Sequence, residues 1–225
     1  MSIFVELSHQ LNPGNEEYEL SIQTHKMNEL YAQYNVDESD WYIMQIITLN
    51  AHVGTHVESP YHHRKDGCDI SQVPLENLVG KLVCLDFTYK KCDEVIVKEE
   101  IIQMVGERNI KDKIVFFHTG RDEFYYAGKE GHERPYPDTE AIVWLIEQKI
   151  TCLGIDATGI EVKGIKDQPN HKTLFAANIP LVENLTNLSA IDSDEYTVYI
   201  LPLCVSGMES CPVRVIAISE GKENC

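Results

Sequence analysis

Four histidines and a carboxylate fall inside a single short segment of this chain: His52, His56, Glu58, His62 and His63. Nine histidines spread evenly over 225 residues would leave fewer than one in any twelve-residue window, yet residues 52–63 hold four. Neutral imidazole is the commonest metal-binding side chain, and carboxylates complete such sites for zinc or manganese. A straight strand would put His52 and His56 on one face but about 13 Å apart, too far for one ion. Gly54-Thr55 and Pro60 make a helix poor here. A strand that bends at Gly54 is the remaining arrangement, folding His52 back beside His56 and Glu58, while Pro60 ends the ladder and turns His62 toward the same space. The plain alternative is a histidine-rich surface loop or core histidines satisfied by backbone. Four histidines and a carboxylate around one bend favour the cation.

The elements that must position this segment read as a mixture of strands and helices. Strands are expected at 3–7, 81–88, 113–118, 152–155 and near 180–183, 197–203 and 212–218, and helices at 97–107, 139–149 and 170–177, the last with Asn170 as N-cap. Residues 41–53 are apolar on both alternating faces and predict a largely buried strand. Residues 16–40 are polar and acidic, with a helix expected around 24–34. Asn12-Pro13-Gly14-Asn15 is a turn signal. The sum is an α/β (α+β) chain, a single compact domain over residues 1–225 built around a mixed β-sheet.

Composition narrows the function. Lys and Arg number 19 against 36 Asp and Glu, a formal charge of −17. Such a chain repels phosphate backbones and anionic lipid, so neither nucleic acid nor a membrane is an expected partner. No apolar run of 18 residues occurs, and the first residues from Met1 lack a basic start, so a cytoplasmic protein is expected. Cys68, Cys84, Cys92, Cys152, Cys204, Cys211 and Cys225 are odd in number, widely spaced and without a C-x-x-C pair, which argues for a reducing compartment. No G-x-S-x-G elbow surrounds Ser59 and no phosphate loop includes Gly54. His9, His25 and His132 read as surface or structural residues. His118, at a strand end, is a candidate pocket residue. Asp156, at the end of an apolar strand, either serves the site or caps the next turn.

The stretch His52-x-Gly54-Thr55-His56-x-Glu58-x-Pro60-x-His62 closely resembles the signature H-x-G-T-H-x-D-x-P-x-H of the cyclase/kynurenine-formamidase-like family of metal-dependent hydrolases. Asn170-His171-Lys172-x-Leu174 followed by Glu183-Asn184-Leu185 resembles its second metal-binding segment. Leu7-Ser8-His9, Phe117-His118-Thr119-Gly120, Gly154-Ile155-Asp156 and the run from Pro202-Leu203 through Gly207, Pro212 and Arg214 to Ala217 resemble further landmarks, so the likeness covers nearly the whole chain. It implies His52, His56, Glu58, His171 and Glu183 as ligands of one or two divalent ions, zinc first and manganese second, with His62 as catalytic acid–base. It also implies a swivelling β/β/α domain, a homodimer or homotetramer with the site close to the subunit contact, and a small-molecule substrate whose amide, ester or lactam bond is cleaved by metal-activated water. An isatin-hydrolase-like ring-opening amidohydrolase, a cyclase or lyase, and a catalytically silent metal- or small-ligand-binding relative are the alternatives.

Three positions depart from the family pattern. Glu58 stands where the family has aspartate, keeping the charge but lengthening the reach by a methylene. His63 replaces an aromatic residue and makes the pocket wall more polar. Arg121 replaces a tryptophan and places a cation near the expected mouth, which would favour an acidic substrate.

Overall fold

Alternation along the central strands shows how the core is layered. In the computed structural model, which describes residues 2–220, Val115 and Phe117 of one strand point into one apolar cluster while Ile114 and Phe116 point into another. All four are fully buried, as expected for a strand covered on both faces. Met1 and Cys225, both named above, lie outside the described residues.

Among the described residues thirteen strands are formed: β1 (Ile3–Glu6), β2 (Leu20–Lys26), β3 (Ile43–Leu49), β4 (His56–Glu58), β5 (Val79–Asp86), β6 (Val95–Ile96), β7 (Ile114–His118), β8 (Tyr136–Pro137), β9 (Cys152–Ile155), β10 (Leu181–Glu183), β11 (Thr197–Ile200), β12 (Ser210–Pro212) and β13 (Val215–Ser219). Four α-helices accompany them: α1 (Met27–Leu30), α2 (Lys98–Val105), α3 (Thr139–Glu147) and α4 (Pro169–Ala176). Nine strands join one sheet in the order β1-β13-β11-β5-β7-β9-β10-β4-β12. Its centre, β5-β7-β9-β10, is parallel, and the crossovers between successive members carry α2, α3 and α4. Both flanks are antiparallel.

The three helices cover one face, where Ile101, Ile142, Leu145, Leu174 and Phe175 meet Val83, Val115, Phe117 and Leu153. The other core has a different construction. Val57 and Cys211 from one end of the strand order share it with Val5, Val198, Val215 and Ala217 from the other end. The sheet therefore curls until its two flanks bury each other. Ser8 bridges Leu185, and the Thr186 amide donates to the Leu7 carbonyl at 3.0 Å, which ties the first strand to the turn after β10.

Three sequence expectations are corrected. Residues 20–26 form a strand, and helix is confined to α1; β2 pairs with β3 in an antiparallel arm separate from the large sheet. Nor is the 41–53 segment buried: Ile46, Ile47 and Leu49 are exposed, because the arm lacks an opposing layer in the chain. Asn170 is not an N-cap. Gln168 takes that place with φ +47, Pro169 opens the helix, and Asn170 lies inside it, donating to the Pro137 and Ile160 carbonyls at 2.8 Å.

Asp156 lies buried beyond β9. Its carboxylate accepts from the Thr119 and Gly120 amides at 2.8–2.9 Å and from the Thr119 hydroxyl at 2.5 Å. It thereby clamps the turn that follows β7. An amide in its place would turn an NH2 group toward donors. Asp156→Asn is expected to lower stability by about 1–3 kcal/mol, read as a shift in the urea midpoint with unchanged slope.

Candidate metal centre

The bend at Gly54 is real and is built for glycine. Its φ is +68, and a Cβ there would come within 2.2 Å of Leu11 Cδ2. The Gly54 carbonyl lies 2.8 Å from His56 Nδ1 and can only accept, so Nδ1 carries the proton and Nε2 is left as the free donor atom. Thr55 fastens the bend from below, donating to the Asn184 carbonyl at 2.5 Å.

Beyond the bend, β4 alternates. Val57 enters the core while His56 and Glu58 share the opposite face. The antiparallel partner β10 sets Glu183 directly across from His56. Pro60 then starts a short 3-10 turn, Pro60–His62, that brings His62 Nε2 to 3.7 Å from Glu58 Oε1. His52, folded back, places Nδ1 3.0 Å from Glu58 Oε1 and 3.2 Å from His56 Nε2. From across the sheet, the first turn of α4 contributes His171, whose Nε2 lies 3.3 Å from Glu183 Oε1 and 3.5 Å from Glu58 Oε2.

The segments around 52–62 and 171–183 thus meet, with ligand atoms of His52, His56 and Glu58, and again of Glu58, His171 and Glu183, lying within 4.8 Å of one another. Glu58 belongs to both trios. Its side chain is almost fully enclosed, and its Oε2 has no hydrogen-bond partner. A buried carboxylate oxygen left bare is costly unless a cation completes it. The donor set of imidazole nitrogens and carboxylate oxygens is the one that suits a divalent ion such as zinc or manganese. On these observations the residues fit a metal.

The charges agree. Burial lowers the basicity of His52, yet Glu209 and Glu58 outweigh it and raise the pKa to about 10. His171 behaves alike: burial lowers it, and Glu161 and Glu183 raise it to about 10. Burial pushes the Glu58 carboxyl up, but His52 and His56 hold it well below the usual carboxylate range. Without a metal, the carboxylates keep protons on their imidazoles.

Two acidic residues of this cluster were not legible in the chain. Glu161 accepts from the His171 amide at 2.8 Å and meets Nδ1 at 3.0 Å, which leaves Nε2 to face Glu183 and Glu58. Glu209, just before β12, lies 3.1–3.2 Å from His52 Nε2 and 3.2 Å from His62 Nδ1. Burial raises its pKa, but His52 and His62 bring it down to about 2. Glu209 had a usable signal, since it falls between Gly207 and Pro212 in the closing landmark. Nothing in sequence marks Glu161.

The other expected pocket residues are scattered. His63 stands beside the cluster, stacked on the His171 ring at 5.4 Å and near Phe175, with its pKa lowered by burial and by His62 and His171. His118, Arg121 and Asp156 line neither of the two cavities at the cluster. Arg121 turns away, its guanidinium 4.0 Å over the Phe124 ring and donating to the Glu130 carbonyl. His132, read as surface or structural, pairs with Glu17 at 3.0 Å and lines the larger cavity. That cavity, of about 450 Å³, is walled by Tyr18, Tyr125, Tyr126, Lys129 and Asn184 and opens on His52, His56 and Glu183. A smaller one of about 260 Å³ holds Glu58, His62, His171 and Arg134.

With this geometry in view, comparison with known proteins is decisive. Residues 5–162 match the model of the Cyclase family. The chain belongs to that family. Kynurenine formamidase of Bacillus mycoides (strain KBAB4) is 22% identical over 229 residues, covering 96% of this chain and 97% of that protein. Kynurenine formamidase of Bordetella pertussis (strain Tohama I) is 25% identical over 170 residues, 76% of this chain and 78% of its own. Among solved structures, isatin hydrolase A from Ralstonia solanacearum superimposes with a TM-score of 0.83 at 19% identity, over 97% of this chain and 92% of that one. That likeness shows that the chain shares its fold. Among its described residues no helix is long and apolar enough to cross a membrane.

Because ligand nitrogens must shed their protons, metal uptake by the metal-free protein is expected to release about two protons at pH 7, and affinity should rise with pH. Calorimetric titration of zinc in buffers of different ionisation enthalpy measures the number; no release would contradict the charge balance described.

Proposed function

We propose that this protein is a metal-dependent hydrolase of C–N amide bonds, similar in reaction to the kynurenine formamidases it resembles, with His52, His56, Glu58, His171 and Glu183 as metal ligands and His62 as acid–base catalyst. The observation that carries the reading is the meeting of two distant ligand segments around the bare Glu58 oxygen, with a partly exposed imidazole beside them. Zinc is the expected ion and manganese the second, as one or two ions. A divalent ion held there polarises a carbonyl and lowers the pKa of water from 15.7 toward about 7.

The chain's own residues do the rest. His62 is about a quarter exposed to the cavity, whereas His56 and Glu58 are enclosed. Its Nδ1 faces Glu209 Oε2 and its Nε2 faces the cluster. Nε2 takes a proton from the attacking water and returns it to the departing nitrogen, converting a poor anionic leaving group into a neutral amine. Glu209 holds the ring in that orientation. Tyr18, Tyr125 and Tyr126 give the 450 Å³ cavity aromatic walls suited to a flat substrate.

A homodimer or homotetramer is part of the same reading. Nine large apolar side chains between Tyr18 and Leu49 are exposed, among them Trp41 at 84% and Ile47 at 56%. At roughly half of an aromatic or aliphatic side chain each, they offer on the order of 800 Å², the area one partner contributes to a standard interface. A second copy of this chain is the occupant we assign to that arm. Wide cysteine spacing without a C-x-x-C pair supports a reducing, cytoplasmic location.

Formanilides, cyclic imides, isatin and lactones form the test panel. Turnover of at least one amide is expected, lost on chelation and restored by zinc or manganese. In His62→Ala, metal content should persist while kcat falls by about 10²–10⁴-fold; near-normal turnover on a verified substrate would remove His62 from its role. Light scattering should give a mass of at least twice 25.6 kDa, and a monomer at micromolar concentration would count against the assignment of the arm.

A further inference from the structure

Orientation of His62 accounts for only one contact of Glu209, the 3.2 Å between its Oε2 and His62 Nδ1. The same oxygen lies 3.1 Å from His52 Nε2, and the His52 and His62 rings stand with centroids 4.8 Å apart. Each ring turns one nitrogen toward Glu58 and the other toward Glu209. Two imidazole nitrogens thus converge on a second carboxylate, and ligand atoms of His52, His62 and Glu209 lie within 4.8 Å of one another.

This trio differs from the two that share Glu58. His56, Glu58, His171 and Glu183 are buried, whereas the side chains of His52, His62 and Glu209 are 20%, 28% and 34% exposed, within reach of an ion from solution. Two imidazoles and a glutamate are a sufficient protein ligand set for zinc, with the fourth position left to water. Elsewhere among the described residues, His25 with Glu29 and His132 with Glu17 bring together only two such groups each. Occupancy of the trio is incompatible with base catalysis by His62. For that role Nδ1–H faces Glu209 and the Nε2 lone pair faces the centre. A cation that takes the Nδ1 lone pair leaves the single proton of the neutral ring on Nε2. Nε2 then has no lone pair with which to accept a proton from water.

We propose that His52 Nε2, His62 Nδ1 and Glu209 form an outer divalent-cation site, separate from the ion or ions held around Glu58, and that zinc bound there stops turnover by occupying His62. The inhibition rests on the hydrolase reading; the binding rests on the trio alone. His52 faces both positions, so the outer one fills second and is held more weakly. Free zinc would then set the fraction of molecules able to turn over.

Zinc alone is the probe, titrated into the full chain by equilibrium dialysis. One equivalent beyond the tightly held complement is expected. It should be absent from His62→Ala and weakened about 10-fold or more in Glu209→Gln, while both variants keep the tight complement. Combined His25→Ala and His132→Ala substitution should leave the extra equivalent in place. No extra equivalent, or one that survives unweakened in both His62→Ala and Glu209→Gln, overturns the outer site. Turnover then separates the two readings. With an amide that is cleaved, the rate should fall as the extra equivalent fills, and Glu209→Gln, measured against its own rate at low free zinc, should move the midpoint of inhibition upward by the same factor as the binding midpoint. A rate that stays level while the extra equivalent fills overturns the inhibition and leaves the hydrolase standing. If the extra equivalent behaves as expected but no amide is cleaved with any metal, the hydrolase reading fails and the outer site stands.

Discussion

An enclosed carboxylate must be matched by positive charge, and Glu58 is the place where this chain meets that constraint. One of its oxygens faces His52, His56 and His62, and the other faces His171 without a hydrogen bond. The desolvation of such a group costs several kcal/mol. Protonated imidazoles cover the cost in the metal-free chain, and a divalent cation covers it when bound. Around Glu58, the outer carboxylates Glu161 and Glu209 face the far sides of His171 and His52 and fix which nitrogens point inward. The centre is therefore a nested arrangement of alternating charge, and its orientation depends on residues that would never touch the ion.

The curl of the sheet makes that arrangement possible. A flat nine-stranded sheet would put β12 at an edge, far from β13, although only Val213 and Arg214 separate them in the chain. Rolling the flanks onto one core closes this gap and leaves β4 between β10 and β12. His56 and Glu58 then stand against Glu183 on one side, and Glu209 arrives from the other. Packing on the inner face fixes the site's geometry as directly as any contact within it.

Much of this was legible in the chain. The run from His52 to His62 encodes a bend through Gly54 and a turn through Pro60, both local rules of backbone chemistry, and the structure shows both. Strands such as Ile114–His118 and Cys152–Ile155 were readable because their apolar runs are short and bounded by turns. The illegible parts share one cause, which is that they depend on what lies opposite. Ile46, Ile47 and Leu49 have the composition of a buried strand, but no layer of this chain covers them. Asn170 has the chemistry of a cap, but Pro169 claims the first helical position and moves it inward. Glu161 is one acid among 36, distinguished only by the histidine that tertiary folding brings to it, and Glu209 is marked only by its place between Gly207 and Pro212. Arg121 directly follows the Thr119-Gly120 landmark, while Arg134, thirteen positions on, is the one beside the site.

The separation between His52 and Glu209 has a consequence for how the molecule comes into being. They are 157 positions apart, and β12 and β13 follow every other strand of the sheet in chain order. Pairing this remote is entropically slow to establish. The ion pocket therefore cannot nucleate assembly in the way that metal seeds a zinc finger. Its ligand atoms, from His52 to Glu183, come together only once the strands that carry them have paired, so the cation acts as a late lock on a chain that has already found its shape.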